Sequence, residues 1–317
     1  MPTLPSYWQL LLLILPIFVI IALGTGLRKA GWLTAEADAS LLKVVVNFLY
    51  PCLIFENVLG NAALREPGNL LLAPVVGFVT MAAGIGIAFY AAKAMGLTIG
   101  HGLRTFAFAA GIYNYGYIPV PLMTKLFGVE SLGVLFVHNV GCEAAIWTVG
   151  ILVLSGLSLR EGWRRLINPP LMSLVVAVGA NLLGLSEYVP ALFKDVVHLC
   201  AACAVPLALL LIGATLYEYV LRPASLFDVR VGVGSCAVRL LLLPVFMLLL
   251  ARYLPCPVDL KRVILVQAAM PAGVLSLVIA KHYGGQPLTA VRVVIATTLV
   301  GLGVIPLWLK AGLLWVF

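Results

Sequence analysis

The sequence from Arg104 to Gly128 reads RTFAFAAGIYNYGYIPVPLMTKLFG. It is long and apolar enough to cross a bilayer, yet Asn114, Gly116, Pro119 and Pro121 fall in its middle. Proline has no amide to donate and its ring collides with the preceding turn, so a continuous helix is not expected here. In hydrocarbon every unpaired backbone group is costly. A break at this depth is stable only where protein or a water-filled cavity receives the free ends. The stretch therefore predicts a broken membrane helix with a site at the break.

Composition carries the same message for the whole chain. Of 317 residues, 63% are hydrophobic and only 10% charged, whereas a soluble domain carries about 25% charge. This excludes the two-domain soluble protein that length alone allows. The net charge of +8 does not describe a nucleic-acid surface, because the Lys and Arg residues lie in short gaps between apolar runs, where they set topology. Most of the six cysteines sit inside apolar runs and act as small hydrophobes. Cys200 and Cys203 form a C-x-x-C with no second pair or histidine pair at zinc spacing, so neither metal nor cofactor is expected. D-D-x-x-D, G-x-S-x-G and H-E-x-x-H are absent, which argues against an enzyme.

Ten apolar runs of membrane-spanning length follow one another: 6–27, 40–59, 69–95, 103–126, 131–155, 169–186, 190–217, 231–253, 261–280 and 288–314. The first has no basic leader and reads as a retained span rather than a cleaved signal. The expected organisation is a first five-helix unit over 1–155, a short basic linker over 156–168, and a second five-helix unit over 169–317. The linker ends in Asn168-Pro169-Pro170, a helix start. Alternate gaps hold twelve and seven basic residues, with Arg239 inside a span. The richer set is expected to face the cytoplasm, leaving both termini outside a multi-pass cell (inner) membrane protein.

A second stretch repeats the first. Arg262 to Gly284 also begins with Arg, is interrupted by proline at Pro271, and closes on Lys281-His-Tyr-Gly284, as the first closes on Lys125-Leu-Phe-Gly128. The two are runs four and nine. An odd separation of five makes them enter the membrane from opposite sides, the signature of an inverted-topology repeat. The fold expected is an all-α membrane protein of ten helices in two inverted five-helix repeats.

Asn114-x-Gly116-x-x-Pro119, Met270-Pro271 through Ala280-Lys-His-Tyr283-Gly284, Thr297-Thr298 with Pro306, and Val46-Asn47-Phe-Leu-Tyr-Pro51 together resemble the auxin efflux carrier family, within the bile-acid/sodium symporter-like fold group. That resemblance implies a scaffold of helices 1, 2, 6 and 7, and a moving transport domain of helices 3–5 and 8–10. It also implies crossed broken helices 4 and 9 at mid-membrane, and homodimers.

The chemistry expected of the break follows from helix ends. A new N-terminus offers free amides and about +0.5 of a charge, and two such ends at one place make an anion site. The expected function is secondary transport of a small organic anion, an auxin-like or other carboxylate, by alternating access. The alternatives are a proton-coupled dicarboxylate symporter of malate or malonate type, or a channel or sensor of the same fold. Asn114, Tyr113, Gly116, Pro119, Pro271, Met270, Asn47 and Gln267 are the candidate substrate contacts, with Tyr115 and Tyr117 as further pocket walls. Pro119 and Pro271 suit the first turn of a second half-helix. His138, Asn139 and Glu143 fall on one helical face with Cys142. Glu143 is read as a coupling acid, or as one half of an ion pair with Arg239. The aspartates are all expected in loops, which argues against a sodium/proton antiporter.

Overall fold

The computed structural model describes residues 4–156, 166–220 and 228–317. Arg160, Arg164 and Arg165 of the basic linker, and Arg222, lie outside the described residues. All regular elements among the described residues are helices: α1 (Tyr7–Lys29), α2 (Ala35–Val58), α3 (Pro67–Ala94), α4 (Leu103–Gly111), α5 (Pro119–Ser155), α6 (Pro169–Leu182), α7 (Ala191–Val220), α8 (Val229–Tyr253), α9 (Val258–Ala269), α10 (Leu275–His282) and α11 (Pro287–Val316). Seven of them are long and apolar enough to cross a membrane, and α6 is a shorter apolar helix.

Local chemistry sets the helix starts. Ser6 and Gln9 form a reciprocal capping box at α1. Thr34, Asn168 and Asp228 each accept an amide of the first turn of α2, α6 and α8. Pro119, Pro169 and Pro287 occupy first helical positions, where the missing amide removes no bond. Asp38 and Asp259 lie in the first turns of α2 and α9 and Asp195 in the second turn of α7 rather than in loops, and Asp228 caps α8, which corrects the expectation for the aspartates. Acids at helix starts suit the positive end of the dipole.

Both proline-bearing stretches are interrupted. The first breaks over residues 112–118 between α4 and α5, the second over 270–274 between α9 and α10. Within α5, Gly128 adopts φ 80° and ψ −176°, a conformation open only to glycine. The chain doubles back there: Asn139 bonds the Tyr115 carbonyl, and Gly150 packs against the Phe108 ring. α2, α5 and α8 each contain one wide π turn, at Val45–Leu49, Ile146–Gly150 and Val238–Leu242. In α8, Pro244 removes the amide that would have bonded the Leu240 carbonyl. The Trp308 indole takes that carbonyl at 2.7 Å instead.

Packing groups most helices in two neighbourhoods, which meet where α1 lies against α11 and α2 against α5. α1 lies along α7, and α2 against α6 and α7. α3 packs on α4 and α5, α8 on α11, and α9 on both α5 and α11. The α3–α5 crossing brings backbones into contact: a Cβ on Gly77 would run into the His138 carbonyl, and one on Gly141 into the Pro74 carbonyl. Small residues at helix crossings are how membrane helices gain close van der Waals contact, since lipid supplies no hydrophobic drive between them.

Candidate functional site

The two breaks meet. Asn114 N donates to the Pro271 carbonyl at 2.8 Å, and Gly273 N donates to the Ile112 carbonyl at 2.9 Å. Together they form a short antiparallel bridge centred on Tyr113 and Ala272. Each broken helix thus supplies partners for the backbone groups that the other leaves open. Further groups complete the joint. Asn139 Nδ2 and Gln267 Nε2 both donate to the Tyr115 carbonyl, at 2.9 and 3.1 Å, and Gln267 Nε2 also reaches Asn139 Oδ1 at 3.2 Å. Thr297 Oγ1 accepts from Ala272 N at 3.1 Å. Asn114 Oδ1 accepts from Ile118 N, the residue before α5, at 3.4 Å.

A cavity of about 540 Å³ lies against the joint. The breaks contribute Asn114, Gly116 and Tyr117 from one side and Gly273, Val274 and Leu275 from the other. α5 adds Glu143 and Trp147. α2 adds Asp38, Leu42, Val46 and Tyr50, a stripe at steps of four. The start of α6, at Asn168, and the Ala208–Thr215 turns of α7 close the far wall. Glu143 Oε2 accepts from Asn168 Nδ2 at 2.9 Å, and Asn168 Oδ1 accepts from Leu171 N at 2.9 Å. The Tyr50 hydroxyl is buried and has no hydrogen-bond partner among the described residues. Its ring stands edge-on to Tyr117 and Phe136.

Several sequence-predicted residues fall elsewhere. Asn47 is exposed on the π turn of α2 and faces away from the cavity that Val46 and Tyr50 line. Met270, Pro271, Pro119 and Gln267 are buried in and around the joint and do not line the cavity. Pro271 sits inside the second break rather than in the first turn of α10, which begins at Leu275. Tyr113 contributes to the cavity wall, but its hydroxyl lies 3.0 Å from Thr80 Oγ1 and 3.1 Å from Cys142 Sγ. The polar face of α5 splits in two. Cys142 turns to Tyr113 and to Gly77 of α3, and His138 Nδ1 lies 3.5 Å from Cys142 Sγ. Asn139 and Glu143 turn to the joint and the cavity.

Glu143 and Arg239 form no ion pair, which corrects that reading. Arg239 is fully buried. One of its nitrogens donates to the Ala268 carbonyl at 3.2 Å, and its guanidinium carbon stands 5.2 Å from the Tyr113 ring centroid. Ala268 lies at the C-terminal end of α9, where a broken helix leaves carbonyls and a partial negative charge. The cation answers that end directly.

A multi-pass helical membrane protein with two interrupted segments joined beside a cavity belongs to the class of membrane transporters. The family model described as "Membrane transport protein" matches residues 10–160 and 156–309, and the chain belongs to this family, the auxin efflux carrier-like group. An uncharacterized transporter of Methanothermobacter thermautotrophicus is 29% identical over 301 residues, covering 93% of this chain and 96% of that protein. An uncharacterized transporter of Methanocaldococcus jannaschii is 23% identical over 303 residues, with the same coverage of 93% and 96%. Protein ECM3 of Saccharomyces cerevisiae is 28% identical over 164 residues, 49% of this chain and 26% of its own length.

Proposed function

We propose that this protein is a secondary transporter that carries a small organic carboxylate, of auxin-like or related type, by alternating access around the joined breaks. One observation carries the reading. The amides of Gly116 and Tyr117, ahead of α5, and of Val274 and Leu275, at the start of α10, have no acceptor among the described residues, and all four residues line the same cavity. Two helix N-termini with free amides at one place attract an anion. Asn114, 95% buried by its 5% exposure, adds a side-chain amide that spends only its oxygen on Ile118. Glu143, on the same wall, is the candidate coupling acid.

In this reading the chain crosses the membrane ten times. α4 with residues 119–127 is the fourth crossing, residues 129–155 the fifth, and α9 with α10 the ninth. Residues 1–155 and 169–317 are then two inverted repeats, with the broken helices 4 and 9 crossed. α1, α2, α6 and α7 form the scaffold, and the remaining helices move as the transport domain. The packing neighbourhoods support that division, and the cavity takes its walls from both groups. Its walls extend to Asp38 and Asn168, at the ends of α2 and α6 beside the basic gaps. By the positive-inside rule that side is cytoplasmic, so the cavity faces inward and both termini lie outside the inner membrane. Pairing of two copies belongs to the same proposal. Saturable, counterflow-competent uptake of a carboxylate into proteoliposomes tests it. Uptake that rises linearly with concentration makes the protein a channel instead.

A further inference from the structure

Resting on the carrier reading above, we propose that Asn61 is the outer latch of the transport cycle. Its side-chain amide ties the scaffold to the elbow of α5 and holds the extracellular side shut while the cavity is open to the cytoplasm.

The inner end of the cavity is marked by Asp38, in the first turn of α2. Asn61 follows the other end of the same helix, about 30 Å away at 1.5 Å per residue. It is 7% exposed, and its oxygen and nitrogen have separate duties. Oδ1 accepts from Ala63 N at 3.0 Å and so caps the short turn over Ala62–Arg65. Nδ2 shares its two hydrogens among three carbonyls. One is Asn57 at 2.9 Å, in the last turn of α2, where helix carbonyls lack partners of their own. The others are Val129 at 3.2 Å and Glu130 at 3.1 Å, just past the Gly128 kink of α5. The amide thus joins a scaffold helix to the transport domain. Asn61 is itself pinned to the scaffold, because Asn181 Nδ2 of α6 donates to its carbonyl at 2.8 Å.

Gly133 makes this closure possible. A Cβ there would stand 2.3 Å from Asn61 Nδ2 and 3.0 Å from the Asn57 carbonyl. The second leg of α5 closes on Asn61 because it carries no side chain at that point. For the extracellular side to open, the elbow must leave Asn61, and the Val129 and Glu130 carbonyls must exchange its amide for water. Neutral hydrogen bonds of this kind are worth little net, which suits a closure made and broken in every cycle.

Side-specific access to the cavity wall tests the latch. In full-length protein freed of native cysteines, Val274→Cys is labelled with a membrane-impermeant maleimide, from outside in intact cells and from the cytoplasmic face in inside-out vesicles. Asn61→Asp keeps an acceptor for Ala63 N but turns an oxygen to the three carbonyls. Gly133→Ala wedges the same contact from the opposite side. Each variant is expected to label at least about fivefold faster from outside, the scale of one neutral hydrogen bond, and more slowly from inside. Outside labelling unchanged in either folded variant overturns the latch and leaves the carrier reading standing. Labelling that rises from both sides at once describes an open passage; it overturns alternating access itself, and this inference with it.

Discussion

Asn114 N and the Pro271 carbonyl stand 2.8 Å apart, so the two broken helices are joined backbone to backbone. This bond explains how a chain so poor in charge tolerates two interruptions. A broken helix exposes amides and carbonyls that hydrocarbon cannot satisfy. Here some of those groups pair across the joint, others are taken by Asn139, Gln267, Thr297 and Arg239, and the amides left over face the cavity.

Asn114 separates structure from binding within one residue. Asn114→Asp keeps an oxygen for Ile118 N but places an anion where the amide nitrogen stood. The protein is expected to fold with an unchanged melting temperature, and carboxylate affinity should fall by at least about a hundredfold through like-charge contact. Calorimetric titration of the best carboxylate ligand checks this.

The α3–α5 crossing predicts a strict size limit. Gly141→Leu drives a side chain into the Pro74 carbonyl and the Phe78 amide. Overpacking of this kind costs about 1–3 kcal/mol or more, because rigid backbone cannot yield. Detergent-solubilised Gly141→Leu should elute as aggregate in size-exclusion chromatography, while Gly179→Leu, where nothing lies within 4 Å, elutes as the parent does.

Arg239 is held by a carbonyl, the Met247 sulfur and an aromatic face rather than by an acid. Arg239→Ala leaves a void and strips the Ala268 carbonyl of its donor, a loss on the order of 3 kcal/mol. Arg239→Lys restores charge without a planar group to stack on Tyr113, so it should recover only part of the thermal stability. Melting curves of the three proteins should rank wild type first, lysine second and alanine last.

Acidification tests Glu143. Protonating it removes a negative charge from the wall of the anion site, so affinity for a carboxylate should rise as pH falls. The other titratable groups nearby are disposed differently: Asp38 is paired with Arg28, and His138 lies against Cys142. Transport by Glu143→Gln should therefore be flat with pH. A variant that retains the wild-type profile removes Glu143 from coupling.

The breaks themselves were legible in the sequence, because proline and glycine act locally and their effect survives any tertiary context. The wall of the cavity was less so. Asn47 belongs to the Val46–Pro51 stretch that carries the family resemblance, yet Asp38, Leu42, Val46 and Tyr50 recur at steps of four and carry the cavity face. That periodicity is present in the sequence, but nothing in it marks which face of the helix meets the cavity. Trp147 lies on a π turn, which shifts register by one residue and defeats an even helical count. The partner of Arg239 was not legible at all. An arginine in a span suggests a carboxylate, whereas the negative end of α9 is a property of the fold and of no single residue.

The central claim is that substrate sits where the two breaks meet. Single cysteines at Tyr117 and Val274, one on each break, in a background freed of native cysteines, report on it through their rate of maleimide labelling. A transported carboxylate should slow labelling at both positions and leave a cysteine at Trp32, exposed in the turn between α1 and α2, unaffected. Unchanged labelling at both break positions, under conditions where the same ligand is transported, would contradict the account.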